Sequence, residues 1–250
     1  MPSLAQPQRK AIYLLSAKEQ RIESDNQRLI ITNENCAPQP IPFNRISRIL
    51  SGANTQWQGK SIAACLARDI PIIWLDQSHS PVGDAHPLHR EKGELHQTLL
   101  NYLDLPDWRE RYSNWLKSRR MAITSQLRQQ RILGLFDFER LKREYVHRNH
   151  PSNRPQPAIR AACQAIVNQQ LAKWRCQTRY WGLEGEPMEL ASDIAELIAQ
   201  EYHLSQTQPQ KTIAEQIQHL EAWWKDSQLN LQQHFNELRK HLAQENETWQ

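Results

Sequence analysis

The chain has 250 residues, 39% hydrophobic and 23% charged, with a net charge of +4. That composition excludes a disordered chain, and no apolar run approaches the roughly 18–20 residues of a membrane span. The amino terminus, MPSLAQPQRK, lacks the apolar stretch of a secretory signal, so a cytoplasmic protein without membrane association is expected.

The first part of the chain reads as β-rich. Short apolar or β-branched runs occur at Ala11–Leu15, Leu29–Thr32, Ile46–Leu50 and Ile70–Leu75. Turn-formers separate them: Ser24-Asp25-Asn26, Asn33-Glu34-Asn35 and Pro38–Pro42. The runs at Leu29 and Ile46 read as half-buried strands, and Ile70–Leu75 as a strand buried on both faces. Between the last two, Ile62, Cys65 and Leu66 form one apolar helix face. Pro81–Pro87 reads as a linker, after which the pattern becomes helical. Helices are expected at 90–104, 106–132, 138–148, 157–180, 188–201 and 211–245, broken at Asp104–Asp107 and His150–Pro155. The last carries a capping box, Thr212-Ile213-Ala214-Glu215, and a stripe of Ile213, Ile217, Leu220, Trp224, Leu231, Leu238 and Leu242. The expected fold class is therefore α+β: a small N-terminal β-rich domain over residues 1–84, followed by a larger all-α helical domain over 85–250.

The four cysteines, Cys36, Cys65, Cys163 and Cys176, show no zinc spacing. Cys65 and Cys163 fall within helical patterns, as small core residues do. Charge is unevenly spread. Pro106–Arg160 carries 13 Lys+Arg against 5 Asp+Glu, while the remainder carries 18 against 22. A basic middle in a mildly acidic chain fits either a polyanion-binding face or a solvated helix surface. Its members are Arg109, Arg111, Lys117, Arg119, Arg120, Arg128 and Arg131 on one helical run, then Arg140, Lys142, Arg143 and Arg148. Such a band can follow a duplex backbone by its phosphates. Trp108, Trp115, Trp174 and Trp181 lie near it, as helix core or as stacking surfaces.

This ordered set of signals resembles the CRISPR-associated spacer-acquisition integrase family, the endonuclease of the adaptation module. The resemblance is carried by Ala11–Leu15, Leu29–Thr32, Ile41-Pro42-Phe43-Asn44-Arg45-Ile46, Arg48–Gly52, Lys60–Leu66 and Asp69–Leu75, closed by Val82-Gly83. In the helical part it rests on Arg90–Leu99, Arg119–Leu127, Pro155–Ala162, Gly182-Leu183-Glu184 and Leu190–Leu197. It implies a metal-dependent DNA integrase in which a 3′-OH of a short duplex attacks a phosphodiester of the CRISPR repeat. The protein positions the strands, and a Mn²⁺ or Mg²⁺ ion stabilises the developing charge. The implied partners are double-stranded DNA (spacer precursor and repeat), a second copy of the chain in a homodimer, and a small ferredoxin-like adaptation protein.

The family's ligands are a Glu, a His and an Asp. Asp193, in LASDIAE, matches the Asp, and Glu196 follows on the same helix face. Both also suit a helix start, where the dipole favours acids. Gly134–Tyr145 is the stretch comparable to the family's Glu segment, and either Glu139 or Asp137 fills the place, although no glycine follows. The literal Glu184-Gly185 comes too late in the order. Gly182–Ala191 contains no histidine where the family has one, and His147 and His150 read as surface residues beside a Pro-rich turn. Glu139 and Asp193 are the candidate catalytic residues, and with Glu196 the candidate metal ligands. Three readings stay open: an active integrase, a catalytically silent DNA-binding subunit of the adaptation complex, and a helical protein-interaction module unrelated to DNA.

Overall fold

The computed structural model describes residues 9–34, 36–148, 154–206 and 212–247. His150 and Asn35 lie outside them. Strands fill the first part of the chain and helices the rest, so the fold is α+β in the expected order. Two compact units form. One comprises the chain to Lys92 together with Gln164–Gln177; the other comprises Gly93–Cys163 and Thr178–Gln250.

Among the described residues the first unit holds eight strands: β1 (Lys10–Leu14), β2 (Gln20–Ser24), β3 (Arg28–Asn33), β4 (Gln39–Pro42), β5 (Ile46–Ser51), β6 (Thr55–Trp57), β7 (Ile72–Leu75) and β8 (Pro81–Ala85). One sheet has the order β4-β3-β2-β6 and the other β1-β5-β7-β8. Antiparallel pairing runs through β2, β3 and β4. Its first turn is set by Asp25, whose Oδ1 accepts from the backbone N–H groups of Gln27 (2.8 Å) and Arg28 (2.7 Å). In the second sheet β5 pairs parallel with both β1 and β7. A parallel return needs a crossover, and α1 (Gly59–Leu66) provides it, burying Cys65 against the sheets. The core joins Leu14, Ile22, Leu29, Ile31, Phe43, Ile46, Ile49, Ile70 and Ile72.

Three expectations change. β5 is buried at all six residues and is not half-wet, because it lies between two parallel neighbours. Its buried Arg48 finds a partner inside the unit, its Nη1 donating to Gln169 Oε1 at 2.7 Å. Pro81–Ala85 is an edge strand and not a linker. Proline suits the first residue of such a strand, which needs no ladder donor there. The strands β2 and β6 have no apolar run and are held by their backbone ladders. Gly52 is required where the chain turns, since a Cβ there would lie 2.9 Å from the Leu14 carbonyl oxygen.

The second unit contains α2 (Glu94–Leu103), α3 (Trp108–Gln129), α4 (Leu135–Leu141), the start of α5 (Pro157–Lys173), α6 (Leu190–Ser205) and α7 (Ile213–Glu247). A π-helical turn, Lys142–His147, continues α4. The segment expected as one helix over 157–180 ends at Lys173, and a hairpin follows, β9 (Tyr180–Trp181) with β10 (Pro187–Met188). The capping box forms as read: the Thr212 N–H donates to Glu215 Oε2 (3.0 Å) and the Glu215 N–H to Thr212 Oγ1 (3.2 Å). Of the stripe on α7, Ile217, Leu220, Leu231, Leu238 and Leu242 are buried, joined by Phe235.

Ile49→Ala tests the central strand. It empties a fully buried site in β5 and is expected to lower stability by about 2–5 kcal/mol, read from the midpoint of urea unfolding.

Candidate functional site

The middle of α3 turns Tyr112, Trp115, Leu116, Arg120, Ile123 and Leu127 inward. Arg120 is thus a charged residue on a core-facing stripe, buried with its guanidinium 5.7 Å from the centre of the Tyr145 ring. Tyr145 comes from the π turn, an arrangement frequent at functional sites. Asp193 enters from the first turn of α6, which packs on α3. It is half-buried, and its carboxyl is pushed up to about 6. Burial is the main cause, the Tyr112 hydroxyl and Arg120 oppose it, and the charges of Glu189 and Glu196 add to it. The buried hydroxyls of Tyr112 and Tyr145 and the Nε of Arg120 lack hydrogen bonds of ordinary geometry. Burial holds both phenols neutral by pushing their pKa values well up.

The neighbouring acids each have a basic partner. Glu196 binds Arg160 (3.0 Å), Glu189 binds Arg179 (2.7 Å) and Glu186 binds Arg109 (2.8 Å). Glu201 faces His234 at 3.5 Å, and His234 Nδ1 accepts from Arg119 Nε at 3.3 Å. On α4, Asp137 is bound by Arg140 (2.9 Å). Glu139 is exposed on α4, one residue beyond buried Phe138.

The CRISPR associated protein Cas1 family matches residues 13–186. The chain belongs to the Cas1 family. Among curated proteins none matches the sequence. Among solved structures it is similar to a CAS1 protein from Thermotoga maritima, at 12% identity and a TM-score of 0.72, over 94% of this chain and 97% of that one. It is similar to TtCas1 in complex with DNA at 10% identity and a TM-score of 0.57, over 93% and 91% of the two chains. It is also similar to a casposase bound to an integration product, at 13% identity and a TM-score of 0.53, over 93% and 82%. At these identities the likeness establishes the fold.

The described residues of this Cas1 family member bring together no ligand set that fits a divalent metal. Among the described residues no three His, Cys, Asp or Glu side chains converge where an ion could be held. Asp193 and Glu196 share a helix face, but Arg160 holds Glu196. The strongest charges acting on Asp193 are Arg120, Glu189 and Glu196. Ahead of Asp193 the chain runs through β9, where buried Tyr180 hydrogen-bonds His96 Nδ1 at 3.0 Å. His147 is exposed.

The basic band divides in two. Arg109 is taken by Glu186, Arg111 by Asp107 and Glu245, and Arg140 by Asp137. Arg119 is half-buried and Arg120 buried. Lys117, Arg128, Arg131, Arg143 and Arg148 are exposed with no carboxylate partner among the described residues, and Lys142 is half-buried. Of the tryptophans, Trp108 and Trp115 are core residues, Trp174 is half-buried and Trp181 is exposed. Trp108 also sets Gly182, where a Cβ would lie 2.6 Å from its indole nitrogen.

The raised carboxyl of Asp193 has a sign that can be measured. Its folded value lies above the unfolded 3.8, so ionisation costs stability as pH rises through that window, and the cost is complete above about pH 6. Asp193→Asn is expected to stabilise the protein at pH 7.5 by on the order of 1–2 kcal/mol after allowance for partial exposure. The gain should vanish below about pH 4, where both states carry a neutral carboxyl. Paired melting curves at the two pH values check it.

Proposed function

We propose that the chain acts in CRISPR adaptation as a duplex-DNA-binding subunit whose acid cluster does not work as a metal centre. One observation carries this reading: the two acids that act on Asp193, Glu196 and Glu189, each have their own guanidinium, while Glu139 remains exposed. Protein cations already neutralise the charge that a divalent ion would answer. The exposed cations of α3 and of the segment after α4 supply the duplex contact, and a backbone-tracking contact of this kind carries no sequence information.

The metal-dependent integrase remains the second reading, and Asp193 favours it. A carboxyl held against its own ionisation beside a buried arginine and a buried phenol is the kind of strained group that active sites keep.

Two measurements separate the readings. Fluorescence anisotropy with a blunt duplex should give an affinity that falls steeply with salt, and Arg131→Gln should reduce the slope of log K against log salt by about 1. Arg109→Gln, whose charge is already taken by Glu186, should change the slope little. In a strand-transfer assay with Mn²⁺ no product is expected. Product formation that Asp193→Ala abolishes would establish the integrase instead.

A further inference from the structure

The helical unit exposes two apolar patches, one at each end of α3. The β9–β10 hairpin presents Trp181 (57% exposed) and Leu183 (79%). It sits on the first turn of that helix, where Gly182 lies against the Trp108 indole and Glu186 binds Arg109 at 2.8 Å. The connection that leaves the last turn presents Phe136 (80%) and Leu135 (64%), with Ile132 (41%) before them. The helix has 22 residues, so its ends lie about 33 Å apart. An exposed leucine alone needs no explanation, but apolar groups gathered at one place on a surface mark a contact.

The two patches carry opposite charge. Beside the hairpin, Glu184 and Glu110 are exposed with no basic partner among the described residues. The guanidiniums there are already engaged, Arg179 by Glu189 and Arg109 by Glu186. At the other end Arg128, Arg131 and Arg143 are exposed with no carboxylate partner among the described residues. They outnumber exposed Glu139, and Asp137 is bound by Arg140.

Both patches are held on closed turns. In the hairpin the Gly182 N–H donates to the Glu186 carbonyl (2.9 Å) and the Gly185 N–H to the Gly182 carbonyl (3.0 Å), with Gly185 at φ 80°. After α3, Arg131 takes a left-handed conformation (φ 60°), and the N–H groups of Ile132 and Leu133 both donate to the Leu127 carbonyl (3.0 and 3.3 Å). Docking such preformed surfaces costs little ordering.

We infer that the hairpin of one copy docks on the α3–α4 connection of a second copy. Trp181 and Leu183 pack on Leu135 and Phe136, and the acids beside the hairpin meet Arg128 and Arg131. Within one copy the length of α3 keeps the two patches apart, so the contact is between copies. Pairing two like patches would set like charges together, which complementary interfaces avoid. The contact is therefore head-to-tail. Each added copy offers one further patch of each kind, so the association can propagate along a chain of copies. Few residues take part on either side, which makes each junction weak. The same cations are those proposed to meet DNA phosphates, so the contact belongs to the DNA-free protein.

The test is sedimentation velocity of the full chain, without DNA, over a series of protein concentrations. The double variant Leu183→Ser/Phe136→Ser sets the level of association that does not involve these patches. The unaltered protein should form larger species than this variant, increasingly so with concentration and less so as salt is raised. Each single variant, Leu183→Ser or Phe136→Ser, removes one half of every junction and should weaken the association about tenfold. An equimolar mixture of the two single variants restores one intact hairpin and one intact connection, and should regain association above the level of the double variant. Both side chains are exposed, so unchanged melting temperatures should show that the variants fold. An unaltered chain that sediments as the double variant does would overturn the inference. So would association that survives either single substitution, or a mixture that stays at the level of the double variant.

Discussion

A buried guanidinium has to be answered by groups that carry negative charge or a π face, and Arg120 imposes that demand on the helical unit. It comes from the middle of α3, is met by the Tyr145 ring from the π turn, and acts on Asp193 from α6. Three segments far apart in sequence are thereby tied to one charge. Arg120 keeps its charge at any ordinary pH, so the segments that surround it are constrained together. The dissatisfaction of Asp193 follows from the same geometry. Burial outweighs the help it gets from Tyr112 and Arg120, and Glu189 and Glu196 repel it.

That constraint decides how the remaining charge is used. The composition shows a cationic middle, but charge counted along a chain does not separate cations facing the core from cations facing water. Arg109, Arg111, Arg119, Arg120, Arg140 and Arg160 are drawn into pairs or burial, where they neutralise the acids of this unit. The cations left over are fewer than the sequence count, and they include Lys117 and Arg128 on α3, Arg131 just beyond it and Arg143 on the π turn. Exposed cations without partners are the ones that can exchange counterions for phosphates. Pairing inside and freedom outside are therefore two consequences of one distribution of charge.

The sequence made the architecture legible where local chemistry and pattern agree. The runs at Leu29 and Ile70, the Asp25 turn and the Thr212–Glu215 box each signal by composition at fixed spacing, and each appears in the fold. The strands β2 and β6 were not legible, because Gln20-Arg21-Ile22-Glu23-Ser24 and Thr55-Gln56-Trp57 are defined by what they pair with. The wet reading of β5 failed for a related reason. Arg48 looks like a solvent-facing residue until Gln169, remote in sequence, supplies its partner. At the candidate site the LASDIAE pattern was enough to single out Asp193. Nothing local marked Arg120 as buried or Phe136 as exposed, since a charged residue on an apolar stripe and an aromatic at a helix start are each defined by the elements that pack around them.

The step from Phe138 to Glu139 shows how narrow the margin between two chemistries is. Successive residues on an α-helix turn by about 100°, so the residue after a buried one can face outward. On α4 and the turn that continues it, the inward positions are Phe138, Leu141, Tyr145 and Val146. The wider π turn adds a residue to the cycle and brings the Tyr145 ring back beneath Arg120. The inward face of α4 and its π turn thus offers an aromatic ring, aliphatic groups and a neutral phenol, while Glu139 is exposed. With α6 supplying one strained acid and α4 supplying none inward, the helices keep the geometry that displays Phe136 and the free arginines. The interior chemistry they share is that of a buried arginine and one half-buried acid within its field, and it leaves the outer surface as the part of this unit with exposed cations to offer a ligand.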